Sequence, residues 1–193
     1  FLPKQERSFI TRVCEGTLEY RIYIDYVIDS FSKISVNKMK PQIREILRSA
    51  VYQLKFMDSV PDSAVCNEAV KLAQKKGFYN LKPFVNGVLR TIAREIGNLE
   101  LPLREENEVR YLSVKYSMPE YLVEKWNAAY GVKTTEKILE DFLTERPITV
   151  RCRTHKASRK EIVTSLKAQG VTVEQAPYLS YALKISDYNH ILT

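Results

Sequence analysis

The hydrophobic period of this chain changes once, near Pro147, and that change limits what each part can fold into. Before it, apolar residues recur at the i, i+3, i+4, i+7 spacing of a helix stripe; after it they alternate, as on a strand. The expected fold is therefore mainly α, a helical bundle and a helical connector followed by a small β-α-β-β subdomain. The clearest stripe follows Pro41, where Ile43, Ile46, Leu47, Ala50, Val51 and Leu54 keep the period for several turns. Val85, Val88, Leu89, Ile92, Ala93 and Ile96 form another, with Gly97 as its stop. Phe9, Ile10, Val13 and Cys14 predict a first helix and Ile24, Val27, Ile28 and Phe31 a second, with the break at Gly16. Ser59-Val60-Pro61-Asp62 offers a capping serine with an acid three residues on. Behind it Val65, Ala69, Leu72 and Ala73 are expected to face inward until Gly77 stops the helix.

Leu101-Pro102-Leu103 and the acidic run Glu105-Glu106-Asn107-Glu108 interrupt the pattern in the manner of a linker. Three shorter helices follow. One surrounds Val109, Leu112 and Tyr116; one opens at the box Ser117-Met118-Pro119-Glu120 and carries Leu122, Val123, Tyr130 and a core anchor, Trp126; one carries Ile138, Leu139, Phe142 and Leu143. Residues 148–152, 171–173 and 182–185 read as strands, and Ser158-Arg159-Lys160-Glu161 opens a helix that Gly170 ends. So small a unit has a thin core and is expected to lean on its neighbours. The resulting domains are 1–100, the helical bundle; 101–146, the connector; and 147–193, the α/β subdomain.

Several chemistries are excluded by what the chain lacks. Cys14, Cys66 and Cys152 are odd in number and far apart, so neither a disulfide framework nor a zinc site is expected; Cys14 and Cys66 read as small buried hydrophobes on helices. His155 and His190 have no partner at ligand spacing, and no metal is expected. No nucleophile elbow, Walker loop or dinucleotide fingerprint occurs, and the 6 glycines form no phosphate cradle. Apolar runs are short, which excludes a membrane-spanning helix and a signal peptide and points to a cytoplasmic protein. The chain begins at Phe1 rather than Met and stops at Ile191-Leu192-Thr193 with no element completed, as an excised fragment would.

Charge points to a polyanionic partner. The total is +7, and residues 1–104 hold 17 basic and 11 acidic side chains against 13 and 12 in residues 105–193. Lys4, Arg7, Arg12 and Arg21 accompany the first two stripes, and Arg90 and Arg94, spaced i, i+4, project together from another helix. Arg151 and Arg153, spaced i, i+2 on a strand, share a face and could clamp a phosphate. For any one helical charge the plain alternative is a solvated face, and for the arginine pair an edge strand kept soluble by charge. The 12 tyrosines provide rings on which unpaired bases could stack.

An ordered series of short motifs is more specific than any of these charges. Tyr52-Gln53-Leu54, Phe56-Met57-Asp58, Val60-Pro61, the run 64–70 (AVCNEAV) and the run 84–90 (FVNGVLR) resemble the N-terminal NusB-like domain of the Sun/Fmu-type ribosomal RNA cytosine-5 methyltransferases. Lys115-Tyr116-Ser117-Met118-Pro119-Glu120 with Trp126 resembles that family's connector. Ile148-Thr149-Val150-Arg151 with Pro177-Tyr178-Leu179 resembles the α/β subdomain before its catalytic domain. The family usually has Arg-Val-Asn in the first strand where this chain has Arg151-Cys152-Arg153, so only Arg151 carries over.

The resemblance implies the RNA-recognition part of an enzyme that methylates carbon 5 of a cytosine in 16S ribosomal RNA with S-adenosylmethionine. The cofactor domain and its two cysteines, in Pro-Cys and Thr-Cys contexts, would lie downstream. The cysteines here follow Val13, Val65 and Arg151, so none is assigned catalysis and this fragment alone is expected to be inactive, without bound cofactor. The implied partners are 16S ribosomal RNA and the protein's own C-terminal methyltransferase domain. The expected RNA-binding residues are Lys4, Arg7, Arg12, Arg21, Arg90, Arg94, Arg151 and Arg153. Two alternatives stay open: a module like the antitermination factor NusB, binding RNA and protein without catalysis, and a purely structural domain.

Overall fold

A computed structural model describes residues 2–144 and 147–186. Chain contacts divide it into two compact units, Phe1–Leu143 and Thr144–Thr193. Helices α1 (Lys4–Glu19), α2 (Arg21–Phe31), α3 (Pro41–Phe56), α4 (Asp62–Lys75) and α5 (Lys82–Glu95) build the bundle of the first unit, and α6 (Glu108–Lys115), α7 (Glu120–Tyr130) and α8 (Val132–Phe142) complete that unit. The second unit is β1 (Ile148–Arg151), α9 (Arg159–Ala168), β2 (Thr172–Gln175) and β3 (Ala182–Ser186). The protein is thus mainly α with a small α/β subdomain, and the period change near Pro147 falls at the start of β1.

The stripes of α2, α3 and α5 meet in the centre of the bundle, where Ile24, Val27, Ile28, Leu47, Val51, Leu89 and Ile92 are all 0% exposed. Helix α4 adds mainly small side chains, Val65, Cys66, Ala69 and Ala73, while Leu72, expected inside, lies on the outer flank and is exposed. Gly77 ends this helix with φ +86, its N–H donating to Gln74 and that of Phe78 to Ala73.

Helix α1 departs from expectation. It continues through Gly16 and breaks at Tyr20, and its expected stripe is largely exposed: Ile10 and Cys14 are exposed, Phe9 is exposed at the edge of a groove beside α3 and α4, and Val13 is only half-buried. Gly16 is needed for a different reason, since a Cβ placed there would lie 2.0 Å from the Tyr52 ring. That ring is fixed in an aromatic cluster, 5.3 Å from Phe56, which in turn lies 4.2 Å from Tyr20. A bare backbone lets α1 press onto α3, so contact is made by the middle and end of α1.

Only one of the three expected serine caps forms. At α9, the Ser158 hydroxyl accepts from the Glu161 N–H and the Glu161 carboxylate accepts from the Ser158 N–H. At α4 and α7 the N-cap positions are Pro61 and Pro119, with no side-chain cap. The cause is local. In both failed boxes the residue after the serine, Val60 or Met118, precedes a proline, which disfavours the α conformation that the first helical position requires. Ser117 instead adopts φ +52, and its Oγ accepts the Ile22 N–H at 3.0 Å, capping α2 from ninety-five positions away.

Residues 101–108, read as a linker, stay within the first unit, and the last of them, Glu108, already opens α6; nearby, the Tyr26 hydroxyl donates to the Glu100 carbonyl at 2.8 Å. Helices α6–α8 enclose a smaller core of Leu112, Tyr116, Val123 and Leu139. Trp126 lies at its margin rather than its centre, half-buried and stacked 5.8 Å from exposed Phe142. Beside that core Glu136 receives Arg104 at 2.9 Å and Lys115 at 3.2 Å. Burial opposes ionisation of Glu136, but the hydrogen bonds from Arg104 and Lys115 outweigh it and hold the carboxyl below its ordinary range.

In the α/β unit, β3 is central and antiparallel to both neighbours, in the order β1-β3-β2. Val150 pairs with Leu183, and Ile148 and Val173 both pair with Ile185. Helix α9 covers one sheet face through Ile162, Val163 and Leu166, burying Cys152, Leu183 and Ile185.

Candidate nucleic-acid interface

Lys4 opens α1, and its side chain is outside the described residues. Arg7, Arg12, Arg21, Arg90, Arg94, Arg151 and Arg153 are all exposed. Arg12 donates to the Phe56 carbonyl at 3.4 Å, placing a cation on the C-terminal end of α3, where the helix dipole favours it. Arg90 and Arg94 come together as their spacing predicts. They line a groove of about 340 Å³ with Asp62, Ser63, Cys66 and Ala93, at the opening of α4. Neither is unconstrained: Arg90 donates to Asn86 at 3.1 Å, and Arg94 pairs with Glu95 at 2.7 Å while its side chain stays 72% exposed. Since α3 ends at Phe56 and α4 begins at Asp62, Arg12, Arg90 and Arg94 border the two sides of the intervening turn.

Cys66 lies in the wall of that groove but is buried, and burial pushes its thiol pKa up, with Arg90 opposing only in part. It packs as the small hydrophobe expected. Cys14, expected to do the same, is exposed because it occupies the outward side of α1; Cys152 is buried under α9.

Arg151 is the last residue of β1, and its guanidinium lies 5.5 Å from the Tyr181 ring centre. Arg153 falls beyond the strand, in the turn where its carbonyl accepts from Lys156 at 2.9 Å, so the pair is not a two-residue strand clamp. Buried Cys152 separates the two exposed arginines. Sequence reasoning did not single out Arg159 and Lys184 or assign a role to Tyr178 and Tyr181, which surround the β2–β3 turn. The signal available was the density of cations after Pro147, which a count over residues 105–193 conceals: residues 144–193 hold 8 basic and 4 acidic side chains, whereas residues 105–143 hold 5 and 8.

Among the described residues no group of three or more His, Cys, Asp and Glu could hold a metal, and no described helix is long and apolar enough to cross a membrane. Fold and surface together define a NusB-type helical bundle with exposed arginines, followed by a cationic α/β unit. The NusB family model matches residues 2–94, and the model described as "Methyltr_RsmF/B-like, ferredoxin-like domain" matches residues 118–191. The chain belongs to the NusB family, with that ferredoxin-like domain following in the same polypeptide.

Two curated relatives match along both parts. "Probable ribosomal RNA small subunit methyltransferase B" of Bacillus subtilis is 36% identical over 95% of this chain and 40% of its own length. The protein of the same description from Synechocystis is 29% identical over 100% of this chain and 43% of its own length. The chain therefore spans about 40% of the length of these relatives. "Transcription antitermination protein NusB" of Agathobacter rectalis is 39% identical over 46% of this chain and 69% of its own length. A solved structure described as "Crystal Structure of PH0851" matches 97% of this chain and 42% of that one with a TM-score of 0.68, at 23% identity, and supports the fold alone.

Proposed function

We propose that this chain is the RNA-recognition portion of an S-adenosylmethionine-dependent methyltransferase that modifies carbon 5 of a cytosine in 16S ribosomal RNA. The observation that carries the reading is the order of two domains on one polypeptide, shared along 95% of this chain with a relative described as a ribosomal RNA small subunit methyltransferase. Lys4, Arg7, Arg12, Arg21, Arg90 and Arg94 hold the RNA backbone by phosphate contacts, and Arg151 and Arg153 guide the strand. The protein works in the cytoplasm, with a C-terminal methyltransferase domain as its second partner.

S-adenosylmethionine supplies the methyl group in that reaction, and the residues described here do not fit it. The strand-to-helix connection from β1 to α9 contains no glycine to bring backbone near a cofactor, and the sheet is small and antiparallel. The proposal places the cofactor and the two family cysteines in the catalytic domain and leaves this portion inactive on its own.

A second reading, a NusB-type binding module without catalysis, draws on the identity to the antitermination proteins. It leaves the match at residues 118–191 without a purpose. The test is twofold. The protein translated from the complete reading frame is expected to transfer tritiated methyl from S-adenosylmethionine to 16S ribosomal RNA, whereas the second reading expects none. This 193-residue chain is expected to bind RNA with an affinity that falls with salt. Unchanged affinity and salt slope in both Arg7→Ala and Arg90→Ala would remove the bundle from the RNA contact.

A further inference from the structure

Among the described residues, no helix of the α/β unit covers the face of the three-stranded sheet opposite α9. Alternation from the buried residues Cys152, Leu183 and Ile185 puts Thr149, Arg151, Ala182, Lys184, Thr172 and Glu174 on it. The β2–β3 turn curls over this face and leaves a recess of about 350 Å³, with Thr149, Ala182 and Lys184 as floor and Pro177, Tyr178 and Leu179 as wall. Tyr178 is 93% exposed and also lines a second recess, of about 400 Å³, beside Arg159 and Gln175. A ring presented to solvent between two hollows has contributed nothing to the core.

The turn that carries it is fixed. The Gln175 side-chain amide donates to the carbonyls of Ala176 at 2.9 Å and Leu179 at 3.0 Å, and its oxygen accepts from Arg159. The Ala182 N–H closes the turn onto the Leu179 carbonyl at 3.0 Å. At the adjoining edge the Arg151 guanidinium lies over Tyr181, and Arg151 and Lys184 lie on the same face, opposite Ala182 and Thr149 in register.

Charge decides what fits. Residues 147–186 contain 7 basic and 2 acidic side chains. One of the carboxylates, Glu161, is engaged by its helix cap, and the other, Glu174, faces Lys184 across the β2–β3 pair. Among the described residues none of the seven cations is in an ion pair, so the surface favours an anion, and a recess walled by an aromatic ring favours a planar one.

Resting on the RNA reading above, we propose that this recess takes one unpaired nucleobase of an RNA strand, stacked on Tyr178, with the flanking phosphates on Arg151 and Lys184. Gln175 is a positioning residue that holds the ring in place. Binding of this kind is tolerant of sequence and selects single strands over duplex, because a paired base has no free face to offer.

The test uses the 193-residue chain and a short single-stranded RNA carrying 2-aminopurine, with a blunt duplex as competitor. Wild-type protein is expected to quench the fluorophore and to prefer the single strand. Tyr178→Ala is expected to lose quenching and on the order of tenfold in affinity, with its salt slope unchanged. Tyr178→Phe is expected to keep both, and Lys184→Gln to flatten the slope. Because the side chain is almost wholly exposed, neither Tyr178 variant threatens the fold. If Tyr178→Ala quenches and binds like wild type while Arg90→Ala weakens binding, the recess is not the base site but the RNA reading stands. If wild type binds no RNA, both fall. If Tyr178→Ala instead leaves RNA binding intact and lowers the melting temperature of the protein from the complete reading frame, a protein segment covers the recess and the proposal is overturned.

Discussion

In the helical unit Arg48 grips Asp25 at 2.6 Å, Arg104 grips Glu136 at 2.9 Å, and Arg110 meets Glu120 at 2.8 Å. In the α/β unit, among the described residues, Arg151, Arg153, Lys156, Arg159, Lys160, Lys167 and Lys184 meet no carboxylate. The first arrangement spends positive charge on joining helices; the second leaves it facing solvent, where a phosphate can take it. The cores differ in the opposite sense. The bundle has an extensive buried core, whereas the sheet and α9 bury Cys152, Leu166, Val171, Leu183 and Ile185 in theirs. Stability is concentrated in the helical unit, which holds paired arginines beside exposed unpaired ones such as Arg7, Arg12 and Arg21, whereas no described cation of the α/β unit is in an ion pair.

The largest expected effect comes from a matched pair of core truncations. Leu183→Ala and Leu47→Ala each remove a side chain that is 0% exposed, at a cost of about 2–5 kcal/mol. In the thin α/β core that loss is expected to unfold the unit while far-UV circular dichroism keeps its helical signal; in the bundle it is expected to lower the melting temperature without unfolding at 25 °C. Equal tolerance of both would break the contrast in core strength. Next, Gly16→Val drives a side chain into the Tyr52 ring and is expected to destabilise the bundle by about 1–3 kcal/mol in urea unfolding, with the α/β transition unmoved.

Smaller effects sharpen the comparison of charges. Ser117→Ala removes the acceptor of the Ile22 amide and is expected to cost about 1 kcal/mol, read as a lower urea midpoint for the helical unit. Glu136, with its folded pKa held down, contributes stability above the ordinary glutamate range and loses it as pH falls through the depressed folded value. Glu136→Gln is therefore expected to flatten the acid limb of a stability-against-pH curve for the helical unit. The smallest signal is in salt dependence. Arg151→Ala is expected to flatten the log–log slope of RNA affinity by about 0.7, and Arg110→Ala, already paired with Glu120, to leave it unchanged. Equal slopes for the two would show that pairing does not distinguish the surfaces.

Much of the fold was legible in local pattern. The stripes of α2, α3 and α5 became the core because their period is long and strict, and the Ser158 box formed because nothing beside it opposes a helical turn. Misreadings arose where the deciding partner is distant in sequence. Gly16 looks like a helix break until Tyr52 is seen against it, and Ser117 looks like the cap of its own helix until Ile22 is found beside it. Two boxes also failed for a reason available locally, the proline after Val60 and after Met118. For the candidate interface, residue type and the Arg90–Arg94 spacing were readable. The exposed ring of Tyr178 was not, since only the turn held by Gln175 shows that it has no place in the core.

The bond between Ser117 and Ile22 also sets an order of events. An amide in the first turn of a helix has no carbonyl within that helix to receive it. The Ile22 N–H must therefore wait for the turn between α6 and α7 to arrive before it is protected. Hydrogen exchange at this one amide consequently times the docking of α6 and α7 onto the bundle, and a chain ending before Ser117 would keep α2 folded along its buried side while its first turn frays.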